Sequence, residues 1–167
     1  MSILQTELLL RQFTLADLDD YHRQLFGDPD VMKTLPPGKP RSRERTKAAV
    51  NPRIEHWENH GFGLWAVIYK QNGEFIGDCG LQYLENTPEV ELAYAIAKAY
   101  WRQGLTTEAA KAALKYGFET IGLDRIVALT EPTNFSSQRV MTNAGLKYEK
   151  DAHDYSLDVV YYAISRK

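Results

Sequence analysis

Residues 90–110 read VELAYAIAKAYWRQGLTTEAA, and the reading of this stretch decides the fold. Its first part, VELAYAIA (90–97), has the length and apolar character of a strand. Its second part opens an alanine-rich helix expected from about Thr106 to Phe118. Between them stand a tryptophan, a lone glycine and two threonines, where better helix formers would be expected. A helix start presents unpaired N–H groups and a partial positive charge, and glycine lets an anion come close to the backbone. Arg102 adds a full charge beside Gly104. The same residues also fit a plain turn at Gly104 with Thr106 or Thr107 capping the helix, so on this stretch alone both readings stand.

Working outward, ELLLRQ (7–12) reads as a strand, and Leu15, Leu18, Leu25 and Phe26 recur at helical spacing behind Thr14, a fitting N-cap. LPPGKPRS (35–42) is the richest proline and glycine stretch and reads as a mobile surface flap. A polar helix is expected from near Ser42, kinked or split at Pro52 before Trp57. LWAVIYK (64–70) and EFIGDCGLQYL (74–84) flank Gln71-Asn72-Gly73, a strong hairpin signal. After the quoted stretch come a strand at RIVALTE (125–131), a helix from about Asn134 to Ala144 ending at Gly145, and a last strand in YSLDVVYYAISRK (155–167). The order is an antiparallel meander, then strand, helix, strand, helix, strand. It predicts one α+β (mixed α/β) domain built on a central sheet.

Composition narrows the function. A chain of 167 residues with 44% hydrophobic and 25% charged residues has enough apolar material for one domain with a sizeable core. The net charge of −2 provides no basic field for nucleic acid, so any basic site must be local. One cysteine, Cys79, excludes an internal disulfide framework and fits a reducing compartment, with the cytoplasm expected. The N-terminal segment lacks a signal-peptide pattern, and no apolar run approaches the roughly 20 residues of a membrane span. There is no GxxxxGK[ST] loop, and the one GxGxxA match, residues 61–66, leads into a strand instead of opening a helix. The histidines His22, His56, His60 and His153 lack metal-ligand spacing, so no metal is expected.

The segment VELAYAIAKAYWRQGLTTEAA resembles the acyl-CoA-binding motif of the GNAT N-acetyltransferases, and its Tyr-Trp-x-x-Gly-x-x-x-Glu-Ala form is similar to the RimJ/RimL branch. TELLLR (6–11), GFGLWAVIYKQNGEFIGDCGL (61–81) and NFSSQRVMTNAGL (134–146) follow in the family's order, so the resemblance spans nearly the whole chain. It implies a GNAT-like domain with a central, mostly antiparallel twisted sheet flanked by helices. It further implies that backbone N–H groups around Arg102, Gln103, Gly104, Leu105, Thr106 and Thr107 cradle the CoA pyrophosphate. Tyr94, Ala95, Ile96 and Ala97 would pair with the pantetheine arm, and Asn134 would contact it from the other side. This sequence departs from the general family loop at its first position, Trp101, and its last, Thr106, whose β-branch crowds a phosphate more than Gly or Ala would.

Acetyl transfer needs a neutral amine, a stabilised oxyanion and a proton for the leaving thiolate. Glu91 matches the family's strand glutamate and is the candidate base, directly or through water, with Glu89 as runner-up; a surface glutamate or an ion pair is the alternative for Glu91. A backbone N–H near Ile96 suits the oxyanion. Many family members use a tyrosine seven residues after the helix-start asparagine, but Met141 stands there. Ser137 is the candidate donor to the sulfur, or else satisfies a free N–H in the first turn of its helix. Cys79 has no base beside it in sequence and reads as inert. The acceptor is expected to be an amine. An α-amine with a pKa near ~7.8 costs about 1 kcal/mol to deprotonate at pH 7, against about 4.6 for lysine near ~10.4, which favours a peptide or protein N-terminus. A small-molecule amine, or an acyl-CoA-binding module without turnover, are the alternatives. Neither a nucleic acid nor a membrane is an expected partner, and the sequence does not fix the oligomeric state.

Overall fold

The computed structural model describes residues 2–4, 7–154 and 156–167; Thr6 and Tyr155, included in segments read above, lie outside the described residues. Strands β1 (Ile3–Leu4), β2 (Leu8–Gln12), β3 (Leu64–Tyr69), β4 (Glu74–Tyr83), β5 (Val90–Ile96), β6 (Arg125–Thr130), β7 (Lys147–Asp154) and β8 (Leu157–Ser165) form one sheet. Their order is β1-β2-β3-β4-β5-β6-β8-β7, and only the β5–β6 pair is parallel. The expected mixed, mostly antiparallel sheet flanked by helices is present. The Asn72-Gly73 hairpin joins β3 to β4, with Gly73 at φ 70° as the tight turn requires.

Helices cover both faces. On one side lie α4 (Leu105–Tyr116) and α5 (Phe135–Ala144); on the other lie α1 (Leu18–Tyr21) within a continuous helical run over 15–26, α2 (Pro29–Met32) and much of α3 (Arg43–His60). The strands alternate accordingly: Trp65, Val67, Leu92 and Ile96 pack in the core under α4, while Leu64, Ala66, Ala93 and Ala95 face the core of α1 to α3. Ala109, Ala110, Ala112 and Ala113 let α4 lie close against the sheet, and Leu105 and Leu114 fill the gaps. Fully burying a leucine contributes roughly 1.5–3 kcal/mol. The same alternation puts Glu91 on the α1–α3 side and Tyr94 on the α4–α5 side.

Several expectations need correction. The helix α3 runs unbroken through Pro52. Both Pro52 and Ala48, whose carbonyl loses its partner, lie on the exposed side, so the freed acceptor faces solvent. The helix after the glycine starts at Leu105, and its regular α-turns end at Tyr116 before a wider turn over Gly117–Ile121. Strand β7 went unread because KYEKDAHD lacks an apolar alternation; it is an exposed edge strand held by β8. The stretch 35–42 is exposed over 36–40, and near its end the Arg41 N–H donates to Phe26 O at 2.6 Å and its guanidinium lies 4.3 Å from the Phe26 ring centroid. Among the described residues no helix is long and apolar enough to cross a membrane.

Candidate active site

Strand β5 pairs with β4 from Val90 to Ile96, but with β6 only at Glu91 opposite Val127. Beyond Glu91 the two parallel strands part. Ala97 N–H donates to Ile76 O at 2.7 Å, so in β5 the odd-numbered residues direct their backbone groups to β4 and the even-numbered ones away from it. Tyr94 and Ile96 therefore turn backbone groups into the opening, while Ala95 and Ala97 serve the β4 ladder. One group there is taken: Trp101 Nε1 donates to Ile96 O at 2.7 Å, folding the indole of the loop's first position back onto the strand end.

The opening leads to the start of α4. Arg102 and Gly104 adopt left-handed backbone conformations, φ 63° and 77°, and Gly104 is the N-cap. No side chain caps this helix, so Thr106 and Thr107 do not do the job the plain reading gave them. The first-turn N–H groups remain available, and a Cβ built on Gly104 meets nothing within 4 Å, leaving room for a ligand. Arg102 is exposed and has no ion-pair partner among the described residues. Gln103 turns back, its Nε2 donating to Ala99 O at 3.3 Å, and Leu105 points into the core. These features fit a bound pyrophosphate.

At the closed end of the opening, Glu91 is 7% exposed and its Oε1 accepts a hydrogen bond from Gln82 Nε2 at 2.9 Å. It is not a surface glutamate. Glu89 is held by Arg125 at 3.3 Å, and the same guanidinium grips Glu149 at 2.6 Å, so the runner-up is a structural ion pair.

Across the opening, Asn134 caps α5: its Oδ1 accepts the Ser137 N–H at 3.1 Å. Met141 is 1% exposed and packs in the core. A tyrosine is nevertheless present, on a different element. Tyr94 Oη lies 2.9 Å from Ser137 Oγ and 2.9 Å from Ser137 O, tying β5 to the first turn of α5. Burial pushes the Tyr94 phenol well above its ordinary range, so it keeps its proton. Cys79, opposite Tyr94 on β4, is buried and its thiol is likewise pushed up by burial, which leaves it unreactive.

Sequence reasoning missed a buried polar group on the α1–α3 side. The Tyr21 hydroxyl donates to Asp78 Oδ2, and Arg53 Nη2 lies 3.8 Å from the same oxygen. Burial raises the Asp78 carboxyl, with Arg53 opposing, and pushes the Tyr21 phenol well up. The available signal was an aspartate between Gly77 and Cys79 in the mostly apolar middle of a strand, where a charge must be partnered.

Comparisons with known proteins identify the family. The chain is 35% identical to the Bacillus subtilis (strain 168) protein YkkB over 95% of each chain. It is 28% identical to the FsC-acetyl coenzyme A-N(2)-transacetylase of Aspergillus fumigatus, over 98% of this chain and 77% of that one. The fold superimposes with a TM-score of 0.85 on RimL, the ribosomal L7/L12 alpha-N-protein acetyltransferase, in complex with coenzyme A, at 18% identity over 99% of this chain and 98% of that one. Residues 7–147 match the acetyltransferase (GNAT) domain, and the chain belongs to this family of acetyltransferases.

Proposed function

We propose that the protein transfers the acetyl group of acetyl-CoA to a primary amine, with the N-terminal amine of a peptide or protein as acceptor. The observation that carries the reading is the parting of β5 from β6, with an uncapped helix start at its open end and buried Glu91 at its closed end. The first-turn N–H groups of α4 and Arg102 hold the pyrophosphate. The backbone of Tyr94 and Ile96 receives the pantetheine arm, with Asn134 on its other side.

This binding mode brings the thioester carbonyl toward Glu91, and the thioester supplies an activated acyl group. Glu91, directly or through a water, accepts the proton that the attacking ammonium group must lose, and Gln82 holds its carboxylate in place. The amine nitrogen bonds to the carbonyl carbon, and a backbone N–H of β5 facing the opening stabilises the oxyanion. The carbon–sulfur bond then breaks. Ser137 donates a hydrogen bond to the departing sulfur, and the second proton lost by the nitrogen ends on that sulfur, giving the free thiol of CoA beside the new amide. Tyr94 acts through Ser137: its phenol donates to Ser137 O and lies 2.9 Å from Oγ, which holds the serine beside the opening.

Thiol release from acetyl-CoA, measured across N-terminal-amine peptides and small amines, tests the reading. Release with peptides above that with small amines is expected. Release with small amines alone would replace the acceptor, and CoA binding without release for any amine would make the protein a binding module.

A further inference from the structure

We infer that the acceptor carries a carboxylate beyond its reacting amine, and that Arg53 receives it in a cavity on the α1–α3 side next to Glu91. The inference rests on the proposed amine acetylation and adds a chemical requirement to the acceptor. The cavity has a volume of about 130 Å³ and is lined by Pro52, Arg53, His56, Leu64 and Gln82. Gln82 is the residue that holds Glu91, so the cavity and the candidate base share a wall. Its volume admits a carboxylate with a short carbon stem, given that a water occupies roughly 30 Å³ in the liquid.

The charges around the cavity are unbalanced. The guanidinium groups of Arg41 and Arg53 both lie over the Phe26 ring, 4.3 and 5.8 Å from its centroid. Among the described residues, Asp78 is the one carboxylate within ion-pair distance of either, at 3.8 Å from Arg53 Nη2, and its Oδ2 already accepts the Tyr21 hydroxyl. Arg53 otherwise donates to Ala49 O at 3.2 Å, and Arg41 to Pro36 O at 3.0 Å. Two cations and at most one anion leave a positive charge largely removed from water, since the Arg53 side chain is only 20% exposed. A buried charge calls for a partner, and an arginine edge matches a carboxylate in shape as well as charge. Burial also favours the neutral form of Asp78, which would enlarge the imbalance.

His56 does not compete for this role. Its Nδ1 lies 2.7 Å from Phe62 O, its Nε2 accepts the Tyr83 N–H at 3.2 Å, and burial lowers its pKa, so it is neutral and satisfied.

The experiment compares matched acceptors. One pair is a peptide with aspartate at its second position and the same peptide with asparagine; the other is a free amino acid and its amide. The wild-type protein should favour the carboxylate member of at least one pair by about tenfold or more in kcat/KM, and the pair concerned tells a side-chain carboxylate from an α-carboxylate. Arg53→Gln should level the preference, Arg53→Lys should keep part of it, and Arg41→Gln, at a less buried position, should weaken it. Melting curves identify any variant that fails to fold. Equal kcat/KM within both pairs, or a preference that survives Arg53→Gln in a folded protein, overturns the inference. Calorimetry with the N-acetylated products in the presence of CoA reads the same contact without turnover, and equal affinity for carboxylate and amide products also overturns it. Absence of thiol release with every acceptor overturns the proposed function instead.

Discussion

The two edges of β5 differ sharply. Against β4 the strand is registered along its whole length; against β6 it is paired at Glu91 and then left open. An unpaired edge at the side of a sheet is ordinarily protected, as β7 is by Lys147, Glu149, Lys150 and Asp151. The edge inside this sheet has no such charges. Apart from Ile96 O, which Trp101 holds, its backbone groups are open to something that enters, because buried N–H and C=O groups without partners are costly. The paired edge is the scaffold and the open edge is the proposed site.

The largest expected effect lies at the mouth of the opening. Gly104→Val should lower CoA affinity by on the order of a hundredfold, about 2.7 kcal/mol. The new side chain meets no protein atom, so the fold should lose only the roughly 1–2 kcal/mol of a left-handed β-branched residue. Calorimetry on a variant that melts cooperatively checks this; unchanged affinity would remove the pyrophosphate from the start of α4.

At the closed end, Glu91→Gln should slow transfer by on the order of a hundredfold at pH 7, the range of general-base catalysis. The deficit should shrink as pH rises past the acceptor's pKa, near ~7.8 for an unperturbed α-amine, because a neutral amine has no proton left to give. Profiles of kcat/KM against pH measure it. A profile parallel to wild type at all pH values would leave Glu91 a structural partner of Gln82.

Along the α5 side the effects should be smaller. Ser137→Ala should cost about tenfold in kcat with little change in KM for acetyl-CoA, the worth of one hydrogen bond of roughly 0.5–1.5 kcal/mol. Tyr94→Phe should cost no more, and the double variant should be no slower than Ser137→Ala, since the phenol acts through the serine. Additive losses would give Tyr94 a role of its own. Asn134→Ala should lower stability by about 1 kcal/mol, seen as a reduced melting temperature, because its Oδ1 caps α5.

What the sequence disclosed follows the range of the interactions. The Asn72-Gly73 hairpin, the start of α3 near Ser42 and the stop of α5 at Gly145 are set by neighbouring residues, and all three were legible. Strand β7 owes its conformation to pairing with β8 and carries no apolar period of its own. Pro52 looked like a break because the cost of proline is local, whereas the exposure that relieves it is a property of the packed helix. At the site, Glu91, Gly104 and Ser137 stood out by pattern and resemblance. Their partners did not: Tyr94 and Ser137 are 43 residues apart, and Tyr21 and Asp78 are 57 apart. The tyrosine missing at Met141 was therefore read as an absence, although a phenol reaches Ser137 from across the opening.

The claim that the open edge of β5 is the cofactor's seat is tested most directly by a crystal structure of the protein with CoA. The account predicts pantetheine amides hydrogen-bonded to the backbone of Tyr94 and Ile96, the pyrophosphate on the N–H groups at the start of α4, and the sulfur within hydrogen-bond reach of Ser137. CoA bound elsewhere, or β5 and β6 drawn together and paired beyond Glu91 in its presence, would contradict it.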